Sequence, residues 1–233
     1  MRFLVTAVVL ALALGVFARA NTDSSARATV RALEARYQHA RGLRAVFFES
    51  YNDGNGGVSA ESGTAYFSHP GRMRWDYESP EKKLFLVDGK NVWFYIPADR
   101  TASRAKLSQS LDWRTPLAIL AGKANVAEFC REIQSVDASQ SGSAGLAPAS
   151  NDTVLRCIPR QSPAGDTLRD VLFEVNPQSF LVHLLIREAG GITTEFRFGN
   201  WQDNISIPES DFHFVPPPGV TVVDEEALAQ TIH

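Results

Sequence analysis

The sequence predicts a mainly β (α+β) fold, a single antiparallel sheet of about eleven strands curled into an unclosed half-barrel and interrupted by two helical segments. Three observations carry this. Helical periodicity is confined to one N-terminal stretch and one short later segment. The rest is short Val-, Phe-, Tyr- and Trp-rich segments split by turn sequences. In the clearest of these segments, apolar and polar residues alternate with period two.

Taken in order, Arg2, the apolar run Phe3–Phe17 and the small residues of Ala18-Arg19-Ala20 read as a secretory signal cleaved before Asn21. The run is short of the roughly 20 residues a membrane span needs. Residues 21–225 then form one exported domain. In Ser24–Arg41, Val30, Leu33, Tyr37 and Ala40 recur at intervals of three and four, the mark of an amphipathic helix, and Gly42 ends it. Strands follow at Leu43–Tyr51, Gly57–Ser68, Arg72–Tyr77, Lys83–Val87 and Asn91–Ile96. They are divided by DGNGG, HPG, ESPE and DGK, with Asp88-Gly89 the strongest hairpin signal.

In LDWRTPLAILAGKAN, Thr115 is an N-cap, Pro116 suits the first turn, and Leu117, Leu120 and Ala121 share a face before Gly122. So short a helix must pack on something. Strands resume at Ala127–Val136, Thr153–Ile158, Leu168–Asn176, Phe180–Glu188, Ile192–Trp201 and Asp211–Val215. The Ser/Gly-rich stretch 137–152 reads as a flexible loop joining a hairpin, across which Cys130 and Cys157 face each other. Val220–Val223 adds a last short strand. A loose tail is expected from Asp224, with 226–233 outside the domain.

The chain carries 23 Lys and Arg against 26 Asp and Glu, and losing Arg2 and Arg19 makes the mature protein more acidic still. It therefore lacks the basic footprint of a nucleic-acid binder. Two cysteines in an exported chain favour a bridge over two buried thiols, worth ~3 kcal/mol on the chain-entropy model. They cannot make a zinc site, and the five histidines, His39, His69, His183, His213 and His233, have no ligand spacing. Each is expected in a solvated or hydrogen-bonded structural role. Ser141-Gly142-Ser143-Ala144-Gly145 lacks the first glycine of a nucleophile elbow, and no phosphate- or metal-binding motif is present. No cofactor, metal or catalytic residue is predicted, and the chain is not expected to be an enzyme.

The alternation defines two faces. Met73, Trp75 and Tyr77 oppose Arg72, Arg74 and Asp76. Thr194, Phe196 and Phe198 oppose Glu195 and Arg197, and Phe212 and Phe214 oppose Asp211 and His213. One face is expected to be aromatic and the other wet. Across the Asp88-Gly89 hairpin, Phe85, Val87, Val92 and Phe94 share one side while Leu84, Leu86, Trp93 and Tyr95 share the other. That hairpin is either covered on both faces or has one face awaiting a partner. The aromatic face is a filled core or, because roughly eight strands already suffice to hold a small ligand, the wall of an internal apolar cavity.

The run PGRMRWDYESPEKKLFLVDGKNVWFYIP (70–97) resembles the signature region of the periplasmic outer-membrane lipoprotein carriers of the LolA type. Also similar, in the same order, are the N-terminal helix followed by Ala45-Val46-Phe47, the TPLAIL segment (115–120) and the ending DFHFVPPPGVTVVDE (211–225). The resemblance implies an unclosed eleven-stranded barrel under a lid of short helices. Its apolar interior would shield the acyl chains of lipoproteins in transfer from inner to outer membrane. The implied partners are acylated lipoproteins, an inner-membrane ATP-driven releasing complex and an outer-membrane receptor, met by a monomer without cofactor.

Exposing one sixteen-carbon chain to water costs on the order of 12 kcal/mol, which is why such cargo needs an apolar wall free of reactive groups. On this resemblance the lining is Phe47, Met73, Trp75, Tyr77, Phe94, Leu117, Leu120, Phe196 and Phe198. The chain departs from the family where many members carry Arg or Lys as a lid latch before the signature proline. Here the residue is His69, with one donor when neutral against five for Arg, so a looser lid is expected. Two further readings share the fold, a lipoprotein-sensing regulator and a carrier of another lipid or glycolipid.

Overall fold

The computed structural model describes residues 24–107, 119–120, 122, 125–136, 146–160 and 167–224. The expected signal segment, the expected lid residues Thr115, Pro116 and Leu117, most of the 137–152 stretch and the residues beyond Asp224 lie outside them. Helix α1 spans 24–39, and its buried residues Ala26, Val30, Leu33 and Tyr37, with Ala40 just beyond, follow the predicted stripe. The chain then turns at Gly42, where a side chain would meet the Ile205 carbonyl oxygen at 2.5 Å.

Six strands follow by hairpins: β1 (Leu43–Asn52), β2 (Val58–Ser68), β3 (Arg72–Ser79), β4 (Lys83–Val87), β5 (Asn91–Ile96) and β6 (Thr101–Lys106). A one-turn helix α2 (Val126–Phe129) leads into β7 (Cys130–Val136). Then come β8 (Thr153–Pro159), β9 (Leu168–Val175), β10 (Leu181–Glu188), β11 (Thr193–Asp203), a 3₁₀ turn at Glu209–Phe212 and β12 (Thr221–Asp224). All twelve lie in one sheet, ordered β12-β6-β5-β4-β3-β2-β1-β11-β10-β9-β8-β7. The order ends in two separate edge strands, so the sheet is not closed. The two halves of the meander join where β1 pairs with β11, Phe47 opposite Phe198 and Glu49 opposite Phe196.

One buried cluster runs from α1 across the inward residues of both halves, which makes this the concave side. The other, convex side is not simply wet. Leu84, Leu86 and Trp93 form a second buried cluster there with Phe212, and Tyr95 and Phe214 pack against it. The β4–β5 hairpin is therefore covered on two faces, which decides the alternative left open by its sequence. Phe212 and Phe214, expected on the concave side, lie on the convex one. Their segment is a 3₁₀ turn and an extended cover, not a strand. Arg72 and Arg74 hold that cover down, Arg72 by an ion pair to Glu209 at 2.8 Å and Arg74 by donating to the Asp211 carbonyl at 2.9 Å. The cover ends as β12, parallel to β6, with Asp224 bonded to Arg104 through both carboxylate oxygens. Asp224 is thus part of the sheet and not of a loose tail.

Three further expectations change. Thr101–Lys106 is a strand although TASRAK offers no aromatic signal; it pairs through backbone and buries only Ala102 and Ala105. Val126–Phe129 is a helical turn capped by the Asn125 side chain, which accepts from the Glu128 N–H, so the strand begins at Cys130. The end of the 137–152 loop is docked, with Leu146 buried on the convex side against Val154, Leu172 and Leu185. The Cys130–Cys157 bridge forms as expected, with Cα atoms 5.5 Å apart. The two cysteines are diagonal across the β7–β8 pair, since Cys130 stands opposite Pro159 and Cys157 opposite Ile133.

Candidate functional site

Trp75, on β3, is the centre of the concave side. Its ring lies edge-on to Phe47 at 4.9 Å, to Phe196 at 5.7 Å, to Phe67 at 5.8 Å and to Phe198 at 5.9 Å. These are the separations at which aromatic edges meet faces favourably. The sheet register places them so: Trp75 faces Ala65, a residue small enough to let the indole reach β1, while Phe47 and Phe198 are opposed across β1–β11. Phe47, Met73, Trp75, Tyr77, Phe196 and Phe198 are all buried in this one cluster, with Leu120 beside them. Phe94 stands opposite Phe85 on the same side but is half-buried and outside the cluster. Leu117 lies outside the described residues. His69 is exposed at the β2–β3 turn.

Helix α1 lies over this wall. The Tyr37 hydroxyl accepts from the Leu181 N–H at 3.1 Å and its ring meets Trp201 edge-on at 5.8 Å. Arg36 stacks over Phe180 at 4.5 Å and pairs with Asp203. Glu34 accepts the Val126 N–H at 2.6 Å, tying α1 to α2. The rings touch one another, so the concave side is packed by its own side chains.

One polar group breaks the apolar wall, and sequence reading missed it. Glu49 occupies the inward position after Phe47 on β1 and is 9% exposed. The Tyr77 hydroxyl donates to its Oε2 at 2.9 Å. Glu61 stands opposite on β2 and is ion-paired to Lys83, which faces Tyr77 from β4. Burial pushes the Glu49 carboxyl up to about 7; the Tyr77 hydrogen bond opposes this, Glu61 adds to it and Lys83 counters it. Burial, with Glu49 adjacent, likewise holds the Tyr77 hydroxyl well above its ordinary range. The signal was present in FFES: an acid spaced two from an inward phenylalanine.

A second polar network lies on the convex side of β8–β11. Asp170, 3% exposed at its side chain, receives Arg156 at 2.6 Å and Arg187 at 2.6 and 2.7 Å. Nearby, His183 sits between Glu174 and Glu195, 2.7 Å from the latter without hydrogen-bond alignment. Among the described residues no group of His, Cys, Asp and Glu has the arrangement to hold a metal ion.

With an apolar wall of strands from both halves of an open sheet in view, comparison with known proteins decides the family. A family model described as "Outer membrane lipoprotein carrier protein LolA" matches residues 38–215. This chain belongs to the LolA family. The outer-membrane lipoprotein carrier protein of Nitrosospira multiformis is 28% identical over 205 residues, 88% of this chain and 92% of its own. That of Methylobacillus flagellatus is 30% identical over 197 residues, 84% of this chain and 89% of its own. Among solved structures, an uncharacterized conserved protein from Thermus thermophilus aligns with TM-score 0.53 at 9% identity. It covers 86% of this chain and 99% of its own, a likeness of fold alone. The LolA match spans β1 to the convex cover, and so includes every described residue of the ring wall. No described helix is long and apolar enough to cross a membrane.

Proposed function

We propose that this LolA family member is a periplasmic carrier that shields lipoprotein acyl chains against its concave wall and moves them from inner to outer membrane. Its partners are an inner-membrane ATP-driven releasing complex and an outer-membrane receptor, and it works as a monomer without chemistry or cofactor. The observation that carries the reading is the ring wall itself: Phe47, Trp75, Phe196 and Phe198 meeting edge to face under α1. Loading exchanges ring–ring contacts for ring–methylene contacts of similar dispersion energy, while each methylene taken from water gains ~0.8 kcal/mol. Parting the rings is therefore affordable for an acyl chain and not for a polar guest.

The lid is the 115–120 segment with Leu117 and Leu120, and His69 is its latch. The Cys130–Cys157 bridge fixes the β7 edge. The test is native mass spectrometry of the protein purified from periplasm without detergent. Bound acylated peptides are expected; phospholipid or glycolipid alone would move the reading to another lipid, and an unlipidated protein partner to a sensor.

A further inference from the structure

The Glu49–Tyr77 pair asks why an apolar wall contains a carboxyl at all. Burying a carboxyl without full pairing costs free energy that an aliphatic residue at the same position would avoid. Glu49 is held in place on one oxygen only: Tyr77 donates to Oε2, and among the described residues none donates to Oε1. The pair stands at one end of the ring wall. From Leu43 to Glu49 the inward side of β1 carries only Leu43, Ala45 and Phe47 before the carboxyl, a run of about 20 Å at a strand rise of ~3.4 Å per residue. That is the order of one extended acyl chain. Beyond Glu49 the Glu61–Lys83 ion pair continues the polar end. The arrangement is that of a site for an amphipathic guest, hydrocarbon along the rings and head group at the carboxyl.

We propose that Glu49, oriented by Tyr77, is the specificity-determining residue of the carrier site, accepting an amide N–H beside the acyl chain and so favouring acylated peptides over ester-only lipids. The inference rests on the carrier reading above. Its chemistry is the acceptor preference of the ionised carboxylate, so binding is measured at a pH above the raised Glu49 value of about 7. An ester linkage places an oxygen where an amide places N–H, so the ester cannot donate to Glu49 Oε1 and brings two acceptors together there, and the amide binds tighter. Tyr77 acts as the positioning residue, since its hydroxyl fixes which oxygen remains for the guest.

The test uses the full mature protein and two probes differing in one atom pair, an N-palmitoyl tripeptide and the same molecule with that amide replaced by an ester. Binding of each is measured by isothermal titration. The wild type is expected to bind the amide about tenfold or more tighter. Glu49→Leu should bring the ratio to about one, with the ester bound at least as tightly as by the wild type. Glu49→Gln, which keeps an acceptor oxygen, should preserve a several-fold preference. Glu49→Met, matching glutamate in length, stands in if the leucine variant does not fold. Equal wild-type affinities, or a ratio unchanged in Glu49→Leu, would overturn the inference and leave the carrier reading intact. Binding of neither probe by the wild type would remove the carrier reading, and the inference with it.

Discussion

The Tyr77 hydroxyl and the Glu49 carboxyl share a 2.9 Å hydrogen bond inside an otherwise apolar wall, and this relationship ties stability to pH. In the folded chain the carboxyl is raised from 4.5 to about 7, burial being the main cause. Below the lower value it is protonated whether folded or not, and burial carries no charge penalty. As pH rises through the interval the folded protein keeps a proton that the unfolded chain loses, so stability falls and levels off above about 7. Glu49→Gln should therefore match wild type at pH 4 and exceed it at pH 8 by up to ~3 kcal/mol. Urea unfolding at the two pH values checks this, and equal differences at both would contradict it.

Asp170 works with the opposite sign. Burial alone would raise its carboxyl, but the hydrogen bonds from Arg187 and Arg156 outweigh burial and lower it. Its stabilisation is complete above the ordinary carboxylate range and is lost as pH falls through the depressed folded value. Because the carboxylate joins β8 and β10 to its own β9, Asp170→Asn should cost about 2 kcal/mol at pH 7. The two arginines are part-exposed and can turn to water, which keeps the cost below that of a fully buried pair. The deficit should shrink at pH 2, as read by unfolding at both.

Replacing Cys130 and Cys157 together by serine should lower stability by ~3 kcal/mol through the freed loop. The bridge joins β7 and β8, at the far end of the strand order from the β3 that carries Trp75, although in the same buried cluster. Acyl-probe affinity measured below the new Tm should then stay within about twofold of wild type.

His69→Arg tests the latch. A guanidinium offers five donors where neutral imidazole offers one. Amide exchange of residues 115–120, followed by mass spectrometry, should slow in the variant. Unchanged exchange would remove His69 from the lid.

Much of the fold was legible because one physical signal, period-two alternation, dominates it. Met73, Trp75 and Tyr77 oppose Arg72, Arg74 and Asp76 in the structure as in the sequence, and Val30, Leu33 and Tyr37 bury as their spacing requires. What escaped lacks that signal. TASRAK pairs by backbone and buries two alanines, and a strand of small and polar residues looks like a turn. Phe212 and Phe214 alternate correctly, yet alternation cannot say which face of a sheet a covering segment will reach. Arg72 and Arg74 decide that by gripping Glu209 and the Asp211 carbonyl. Leu146 hides in a stretch whose composition reads as a flexible loop. In the wall, seven of the nine expected lining residues meet in one cluster because the β1–β11 junction brings distant phenylalanines to Trp75. Glu49 escaped because a charged side chain in a strand ordinarily faces water, and only its spacing of two from Phe47 places it inward.

The central claim is that an acyl chain lies against Trp75, and Trp93 supplies the internal control because its ring packs on the convex side with Phe214 at 5.3 Å. In two single-tryptophan proteins, one keeping Trp75 and one keeping Trp93, a lipopeptide with a dibrominated acyl chain quenches only tryptophans it touches. The account predicts strong quenching of Trp75 and none of Trp93. Quenching of Trp93 alone, or of neither, would contradict it.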